Sequence, residues 1–434
     1  MPSKYGPEEA PVIALLSETE NPQEIIPYIG SSPAESLAIR LEYLAEGGAN
    51  VVYQIRTDPV KWSRAVLQRP LSAVKGHRDA STCERIQDEV LRLRKAPGSS
   101  KQSYVSTTAA EDYLEDVIAP SLGGHEWLIP SRKIRVHPRV ISACNKELIL
   151  HQALGNRPDS REHSILEESE LFGLLMEDMS GIRGSSFTIQ FKPKWLSHSP
   201  NASKSARRCR TCALRAMRGT EGMAPVGEVQ CPRNLVGDHP DNSRLEILQT
   251  LRANGIPCAE SKLRERLPDV LQDLTEYFYS GKGRTILDKL AALQEQLDPL
   301  GIVKLRAQPG GMSSQQLKDL QLAMTFRDCS VYVRYHWDKG LEGIETRVGD
   351  LDPKVGESKL DEWHDIEMGL IQGGWYDGIE ELSQGQAQDT KCSLWNPPQP
   401  SKRYSERIDE LMKDFNADLE VAYKSRSSDE CSDG

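Results

Sequence analysis

From Met179 to Thr220 the sequence contains no Asp or Glu. The gap lies in an acidic chain of 434 residues, with 64 Asp+Glu against 54 Lys+Arg and a formal net charge of -10. An acidic total argues against general nucleic-acid binding, which favours a basic domain. It leaves room for a local basic pocket, because potential is set by nearby charges. Apolar residues are also few: hydrophobic content is 38%, low for a compact fold, so a core with long loops and disordered ends is expected. No apolar run approaches the roughly 20 residues that cross a bilayer. Glu8 and Glu9 stand where a signal peptide needs a basic start. The nine cysteines follow no regular framework. The expectation is a soluble, intracellular protein with free thiols and no membrane partner. The length suits two or three domains, or one large two-lobed enzyme.

What fills the acid-free window is cationic: Arg183, Lys192, Lys194, Lys204, Arg207, Arg208, Arg210, Arg215 and Arg218. Phe187, Thr188, Ile189 and Phe191 lead into Lys192-Pro193-Lys194-Trp195, which predicts a strand. Alternation places Gln190, Lys192 and Lys194 on one face. Pro193 removes a ladder donor, so the strand is an edge or ends there. Two ammonium groups on one face repel unless an anion lies between them. A solvated basic edge that blocks aggregation would explain the pair. The lack of acids around it favours a cradle for a highly charged anion, phosphate above all.

Taken in order, residues 1–35 read as a loosely held extension with one apolar patch, Val12 to Leu16. Glu42 to Tyr53 predicts strand, turn and strand around Gly47, Gly48, Ala49 and Asn50. Such a turn can bring backbone close to a ligand and hold phosphate oxygens, though most such turns are only hairpins. Val90 to Lys95 alternates apolar and basic, a strand with Arg92 and Arg94 on one face. Ala109 to Ile118 predicts a helix stopped by Pro120 and Gly123-Gly124. Leu171 to Asp178 predicts a buried strand running into a polar connector, with Glu177-Asp178 in hinge position. Leu245 to Leu300 and Ser313 to Met324 carry helical periodicity. Asp328 precedes an alternating stretch, as a helix stop or a positioned base. Asp350 and Asp352, at i,i+2 on an extended segment, can point the same way; a hard cation such as Mg²⁺ would relieve their repulsion, although an Asp-rich turn explains them too. Past Glu381 the chain turns polar, with an N-P-P-Q-P linker, a possible helix from Tyr404 to Tyr423 and a polar tail. The predicted organisation is an N-terminal lobe over 36–178, a C-terminal lobe over 179–380 and a polar segment over 381–434.

In order, the motifs E-G-G-A-N-V-V, V-L-R-L-R-K, L-L-M-E-D, F-K-P-K-W, C-R-T-C, R-D-C-S and D-L-D-P-K resemble those of the inositol-pentakisphosphate 2-kinase family. The resemblance runs from about Leu41 to Tyr376. It implies a two-lobed α/β (α+β) fold distantly like protein kinases, with an ATP cleft between lobes. It implies transfer of the ATP γ-phosphoryl to the 2-hydroxyl of inositol 1,3,4,5,6-pentakisphosphate, giving inositol hexakisphosphate, phytate. By resemblance, Gly47, Gly48, Ala49, Asn50 and Val51 form the glycine loop over ATP, Arg92 pairs its phosphates, and Glu177 and Asp178 lie in the hinge. Lys192 stands by the transferred phosphoryl and Asp328 accepts the hydroxyl proton. Lys194, Lys204, Arg208 and Lys354 hold substrate phosphates, and Asp350 with Asp352 binds Mg²⁺. A monomer is expected, in the nucleus or cytoplasm.

Three departures stand out. Gln190 replaces a usual Glu (E-I-K-P-K), and Pro353 intrudes into the last motif. Plant members carry a Cys/His zinc site in the C-terminal lobe, but no Cys or His falls between Cys258 and Cys329 here. No zinc is therefore expected, and Cys209, Cys212 and Cys231 read as an incomplete set. Two other readings remain: a kinase for another inositol phosphate or small molecule, and a degenerate fold that binds inositol phosphates without turnover.

Overall fold

The computed structural model describes residues 12–16, 26–30, 37–57, 89–98, 104–182, 184–220, 231–254, 261–378, 392–394 and 408–417. Arg183 and the 396–400 linker lie outside the described residues. The chain divides into two compact units, Met1–Val117 with Ile129–Asp178, and Ile118–Leu128 with Met179–Gly434. The fold is α+β. Ile118–Leu128 groups with the second unit, whereas the sequence reading runs 36–178 without a break.

The first unit is a closed barrel in the order β1-β2-β3-β4-β5-β7-β6. Its strands are β1 (Val12–Leu16), β2 (Ile26–Gly30), β3 (Leu37–Glu46), β4 (Asn50–Thr57), β5 (Glu89–Arg94), β6 (Ser131–Val136) and β7 (Phe172–Glu177). Within the 1–35 stretch expected to be loosely held, the described residues Val12–Leu16 and Ile26–Gly30 are strands: β1 pairs antiparallel with β2 and parallel with β6, closing the barrel. An apolar V-I-A-L-L run satisfies its backbone in a ladder, and full closure leaves no sheet edge exposed. Helix α1 (Thr107–Tyr113), capped by the Ser106 hydroxyl, passes through a π-helical turn, Leu114–Ile118, into α2 (Ala119–Leu122). Pro120 thus does not stop the helix. It sits in the first turn of α2, where its missing N–H is tolerated, and Gly123 at φ +84 ends the run. Val51, Tyr53, Ile55, Leu91, Leu93 and Ile134 fill the core with Val140, Ile141, Cys144 and Leu148 of α3 (Pro138–Ala153).

The second unit holds an antiparallel sheet, β10-β9-β8, of β8 (Ser186–Phe191), β9 (Ser330–His336) and β10 (Glu345–Gly349). Helices α4 (Arg210–Thr220), α5 (Pro240–Ala253), α6 (Ser261–Tyr279), α7 (Lys282–Leu297), α8 (Gly301–Arg306), α9 (Ser314–Asp328) and α10 (Glu357–Gln372) complete it. The periodic positions read from sequence are the buried ones: Leu267, Val270, Leu271, Leu274, Leu287 and Leu290 are fully inaccessible. Residues 408–417 are helical, with Ile408, Leu411 and Phe415 buried.

Two local devices position the site. β8 is an edge strand and ends at Phe191, just ahead of Lys192-Pro193, as a missing ladder donor requires. Helix α9 opens with a Ser313/Gln316 capping box and closes at Asp328. One extended residue, Cys329, then starts the central strand β9.

Candidate active site

Asp328 ends α9, where the helix dipole disfavours a carboxylate. Three ammonium groups compensate. Lys354 donates to Asp328 Oδ2 at 2.7 Å and Lys194 to Oδ1 at 3.0 Å. Lys192 reaches the Asp328 carbonyl at 2.9 Å and Oδ1 at 3.4 Å, and donates to Asp350 Oδ2 at 2.6 Å. Five residues from three segments thus form one alternating cluster, with about two-fifths of the Asp328 side chain open to solvent. Burial alone would raise the Asp328 pKa; Lys354, Lys194 and Lys192 outweigh it and hold the carboxyl well below the usual range. Burial likewise opposes charge on Lys192, but Asp350 and Asp328 win and its pKa is raised.

Strain marks the same place. Of three non-glycine residues with positive φ among the described residues, two are Lys194 (φ 52) and Asp350 (φ 56). Such a conformation costs about 1–3 kcal/mol, and it persists only where the surroundings enforce it. It also corrects the alternation argument. Lys192 and Lys194 do not share a strand face, because β8 has ended and Lys194 turns back. Asp350 and Asp352 do not lie on a regular extended segment either. Only the Asp350 carboxylate is brought to Lys192, while the Asp352 carbonyl accepts from Thr325 Oγ1 at 3.4 Å.

Sequence reasoning missed the residue that enforces this geometry. Gln294 of α7 is fully buried, donates to the Lys194 carbonyl at 2.8 Å and the Phe326 carbonyl at 3.3 Å, and accepts from Leu196 N at 2.9 Å. One amide therefore ties the turn carrying Lys194 to the end of α9 carrying Asp328. A lone Gln in a helical repeat gives no such signal. Gln294→Leu strands these backbone groups, and each buried unpaired group costs roughly 1–3 kcal/mol. The expected result is a lower denaturation midpoint. An unchanged midpoint would show that these backbone groups find other partners. Beneath, Trp195 lies against the Arg327 guanidinium, 3.6 Å from the ring centroid, and Arg327 pairs with buried Asp298 at 2.7 Å.

Gln190 donates to Ser330 Oγ at 3.0 Å and exchanges hydrogen bonds with Asn254 through its backbone, at 2.9 and 3.0 Å. The departure from Glu therefore has partners of its own on β9 and α5. Lys204 is exposed. Arg208 is fully buried, with its guanidinium 3.4 Å from the Trp375 carbonyl. That is the setting of a brace for the fold, unlike the phosphate contact expected from sequence.

In the first unit, Gly47-Gly48-Ala49 joins β3 to β4, and Gly47 N donates to the Asn50 carbonyl at 2.9 Å. Neither glycine has positive φ, and a Cβ on either would meet nothing within 4 Å. The turn itself therefore does not demand glycine, contrary to the tight-turn argument. A second missed cluster braces it. Buried Glu46 accepts from Arg157 Nε at 2.7 Å and Nη2 at 2.9 Å, and from the Lys95 ammonium, which also reaches the Gly47 carbonyl at 3.0 Å. Burial raises the Glu46 pKa, but the hydrogen bonds from Arg157 and Lys95 prevail and bring it down to about 2. Arg92 is half-buried on β5, opposite Val52 and Leu174. Val51 is fully buried in the barrel core, Glu177 ends β7 opposite Glu89, and Asp178 accepts from Gln54 at 3.4 Å.

The cysteines give the clearest correction. The three that looked incomplete acquire a fourth, Cys392, 161 positions beyond Cys231. All four sulfurs lie within 4.8 Å of one another and are buried. Among the described helices, none is long and apolar enough to cross a membrane.

A carboxylate held by converging lysines, with a second carboxylate sharing one of them, is the kind of centre that handles phosphate. The profile of the family described as Inositol-pentakisphosphate 2-kinase matches residues 43–368. A relative named Inositol-pentakisphosphate 2-kinase, from Yarrowia lipolytica (strain CLIB 122 / E 150), is 26% identical over 298 residues, covering 67% of this chain and 86% of its own. The chain belongs to the inositol-pentakisphosphate 2-kinase family, and is an enzyme of the kinase class.

Proposed function

We propose that this enzyme transfers the γ-phosphoryl group of ATP to the 2-hydroxyl of inositol 1,3,4,5,6-pentakisphosphate, forming phytate. The observation that carries the reading is Asp328 held by Lys192, Lys194 and Lys354, beside Asp350. Phosphoryl transfer needs positioning and charge neutralisation more than covalent chemistry. The barrel unit supplies the open Gly47-Gly48 turn for ATP phosphates, with Arg92 as their partner and Glu177-Asp178 as the hinge. The second unit supplies the base and the substrate cations. In this assignment the two compact units are the two lobes of a kinase-like fold.

The Asp328 carboxylate does two jobs in turn. Without substrate it neutralises the lysines; with substrate, the acceptor's phosphates draw Lys194 and Lys354 away. Released from those bonds, the carboxylate becomes a stronger base and takes the hydroxyl proton. Lys192, between Asp328 and Asp350, meets the charge that develops on the transferred phosphoryl. Asp350, two-fifths exposed and carrying a free acceptor edge, suits Mg²⁺, and Asp352 is a further candidate. When bound there, Mg²⁺ would neutralise ATP phosphate charge. Exposed Lys204 is available to a substrate phosphate. The free buried thiols suit a reducing compartment, the nucleus or cytoplasm.

Incubation with ATP, Mg²⁺ and inositol 1,3,4,5,6-pentakisphosphate, with chromatography of the products, tests the reading. Phytate is the expected product. Tight binding of the pentakisphosphate without turnover would replace it with the non-catalytic alternative.

Lys194 offers a prediction in which stability and function move oppositely. Lys194→Gly relieves the left-handed strain, for a gain of up to about 1 kcal/mol, and removes a substrate cation. Calorimetric affinity for the pentakisphosphate is expected to fall about tenfold or more, the loss of one charged hydrogen bond, with ATP affinity unchanged. Equal losses for both ligands would remove Lys194 from the substrate role.

A further inference from the structure

We infer that Lys95 is a positioning residue for ATP: held by Glu46 and Arg157, its ammonium turns the Gly47–Gly48 peptide so that the Gly48 N–H faces outward to receive a phosphate oxygen. The inference rests on the proposed kinase reaction and deepens its nucleotide site. Lys95 takes a role apart from the direct phosphate contact expected of Arg92.

The inner side of the turn is fully engaged. The Gly47 N–H donates to the Asn50 carbonyl at 2.9 Å, and the Ala49 carbonyl accepts from the Lys95 N–H at 2.9 Å. The Gly47 carbonyl accepts from the Lys95 ammonium at 3.0 Å. A trans peptide is planar, with its C=O and N–H on opposite sides, and none of the described peptide bonds is cis. A Gly47 carbonyl drawn inward to Lys95 therefore sends the Gly48 N–H outward. Gly48 is exposed, and its N–H donates to no group among the described residues.

The glycines point to the same use. Neither has positive φ, and a Cβ on either would meet nothing within 4 Å. The fold does not need a bare backbone here, whereas a phosphate that closely approaches an amide does.

Lys95 works from behind the turn. Its side chain is only 2% exposed, so it does not touch a ligand. It donates to Glu46, whose carboxylate also accepts from Arg157 Nε and Nη2 at 2.7 and 2.9 Å and from the Tyr43 hydroxyl at 3.1 Å. Arg157 is anchored in turn by the Ser164 carbonyl at 2.8 Å and the Leu148 carbonyl at 3.4 Å. The node thus fixes the Lys95 ammonium to β3, to α3 and to the segment after it. With the Arg157 guanidinium and the Lys95 ammonium set against one carboxylate, positive charge is in excess behind the Gly48 N–H. Buried charge is weakly screened by salt, so it favours a phosphate over a neutral group at the turn.

The test measures binding of two ligands to the full chain by calorimetry: ATP, and adenosine, which shares the base and ribose but carries no phosphate. Lys95→Met keeps most of the side-chain length and leaves Glu46 paired with Arg157. It should weaken ATP binding about tenfold, the worth of one charged hydrogen bond, and adenosine binding by less than about twofold. Damage to the fold alone would weaken both. In wild-type protein labelled with ¹⁵N-glycine, the Gly48 amide resonance, identified by its loss in Gly48→Ala, should move with ATP and stay with adenosine. That readout requires no substitution in the buried node. Wild-type protein that does not bind ATP would overturn the kinase reading, and the inference with it. Where the wild type binds ATP, equal weakening of both ligands in Lys95→Met, no weakening of either, or a Gly48 resonance unmoved by saturating ATP would overturn the inference alone.

Discussion

Asp328→Asn is expected to lower kcat for phytate formation by roughly 10²–10⁴-fold, the usual worth of a positioned general base. The variant has nearly the same shape but loses the stability that the ionised carboxylate draws from its three lysines, so the thermal midpoint should fall somewhat. Its effect on substrate binding should have the opposite sign to its effect on rate. In the wild type, Lys354 and Lys194 donate to the two carboxylate oxygens. An amide offers one acceptor and one donor, so one lysine loses its partner and becomes available to a phosphate. The pentakisphosphate should therefore bind at least as tightly to the variant by calorimetry. Because Asp328 is held well below the ordinary carboxylate range, it stays ionised through the neutral range in the free enzyme. Its ionised form adds stability above the unfolded pKa, and this is lost only as pH falls through the depressed folded value. Near-neutral measurements thus compare an ionised base with a non-base, at temperatures where both proteins are folded. A kcat within tenfold of wild type would remove Asp328 from the base role.

Lys192→Met is the second large effect, expected at about 10²–10³-fold in kcat, as when one preorganised donor to a transition-state anion is removed. Lys192 is shared between Asp328 and Asp350. Without it Asp350 loses its lysine partner while Asp328 keeps only Lys194 and Lys354, and an added divalent cation relieves more repulsion than before. The half-saturating Mg²⁺ concentration should therefore fall while kcat also falls. Structural disturbance alone would not produce that pairing. Lys192→Arg should restore charge but little rate, because a planar guanidinium cannot reproduce the geometry of a point-charge ammonium. Rate and Mg²⁺ dependence both unchanged in Lys192→Met would sink the assignment.

Much of this protein was legible without coordinates because its signals are local. Helical periodicity located α6 and α7, and Leu267, Leu271, Leu274, Leu287 and Leu290 on that period are buried. A proline after Phe191 ended an edge strand for a reason internal to proline. The acid-free window carried the excess charge around Lys192 and Lys194, and the ordered motifs carried the family. Asp328 was named for its place before an alternating stretch and Asp350 for its i,i+2 spacing to Asp352.

Tertiary structure alone decided the rest, because those features join residues distant in the chain. Residues 1–35 could not be placed by composition. Val12–Leu16 becomes a strand only when β2 and β6 offer backbone partners. The alternation rule failed at Lys194 and Asp350, where φ is left-handed, and the Lys194 turn is tied by Gln294, 100 positions away. Arg208 read as a substrate cation yet lies buried, since charge in a sequence does not say which way a side chain faces. Glu46 and Lys95 sit in two of the motifs, but nothing in the sequence pairs them with Arg157, 111 positions beyond Glu46. The fourth cysteine was invisible for the same reason. Spacing groups cysteines that are close in sequence, whereas Cys209 and Cys392 are brought together only by the folded path of the chain.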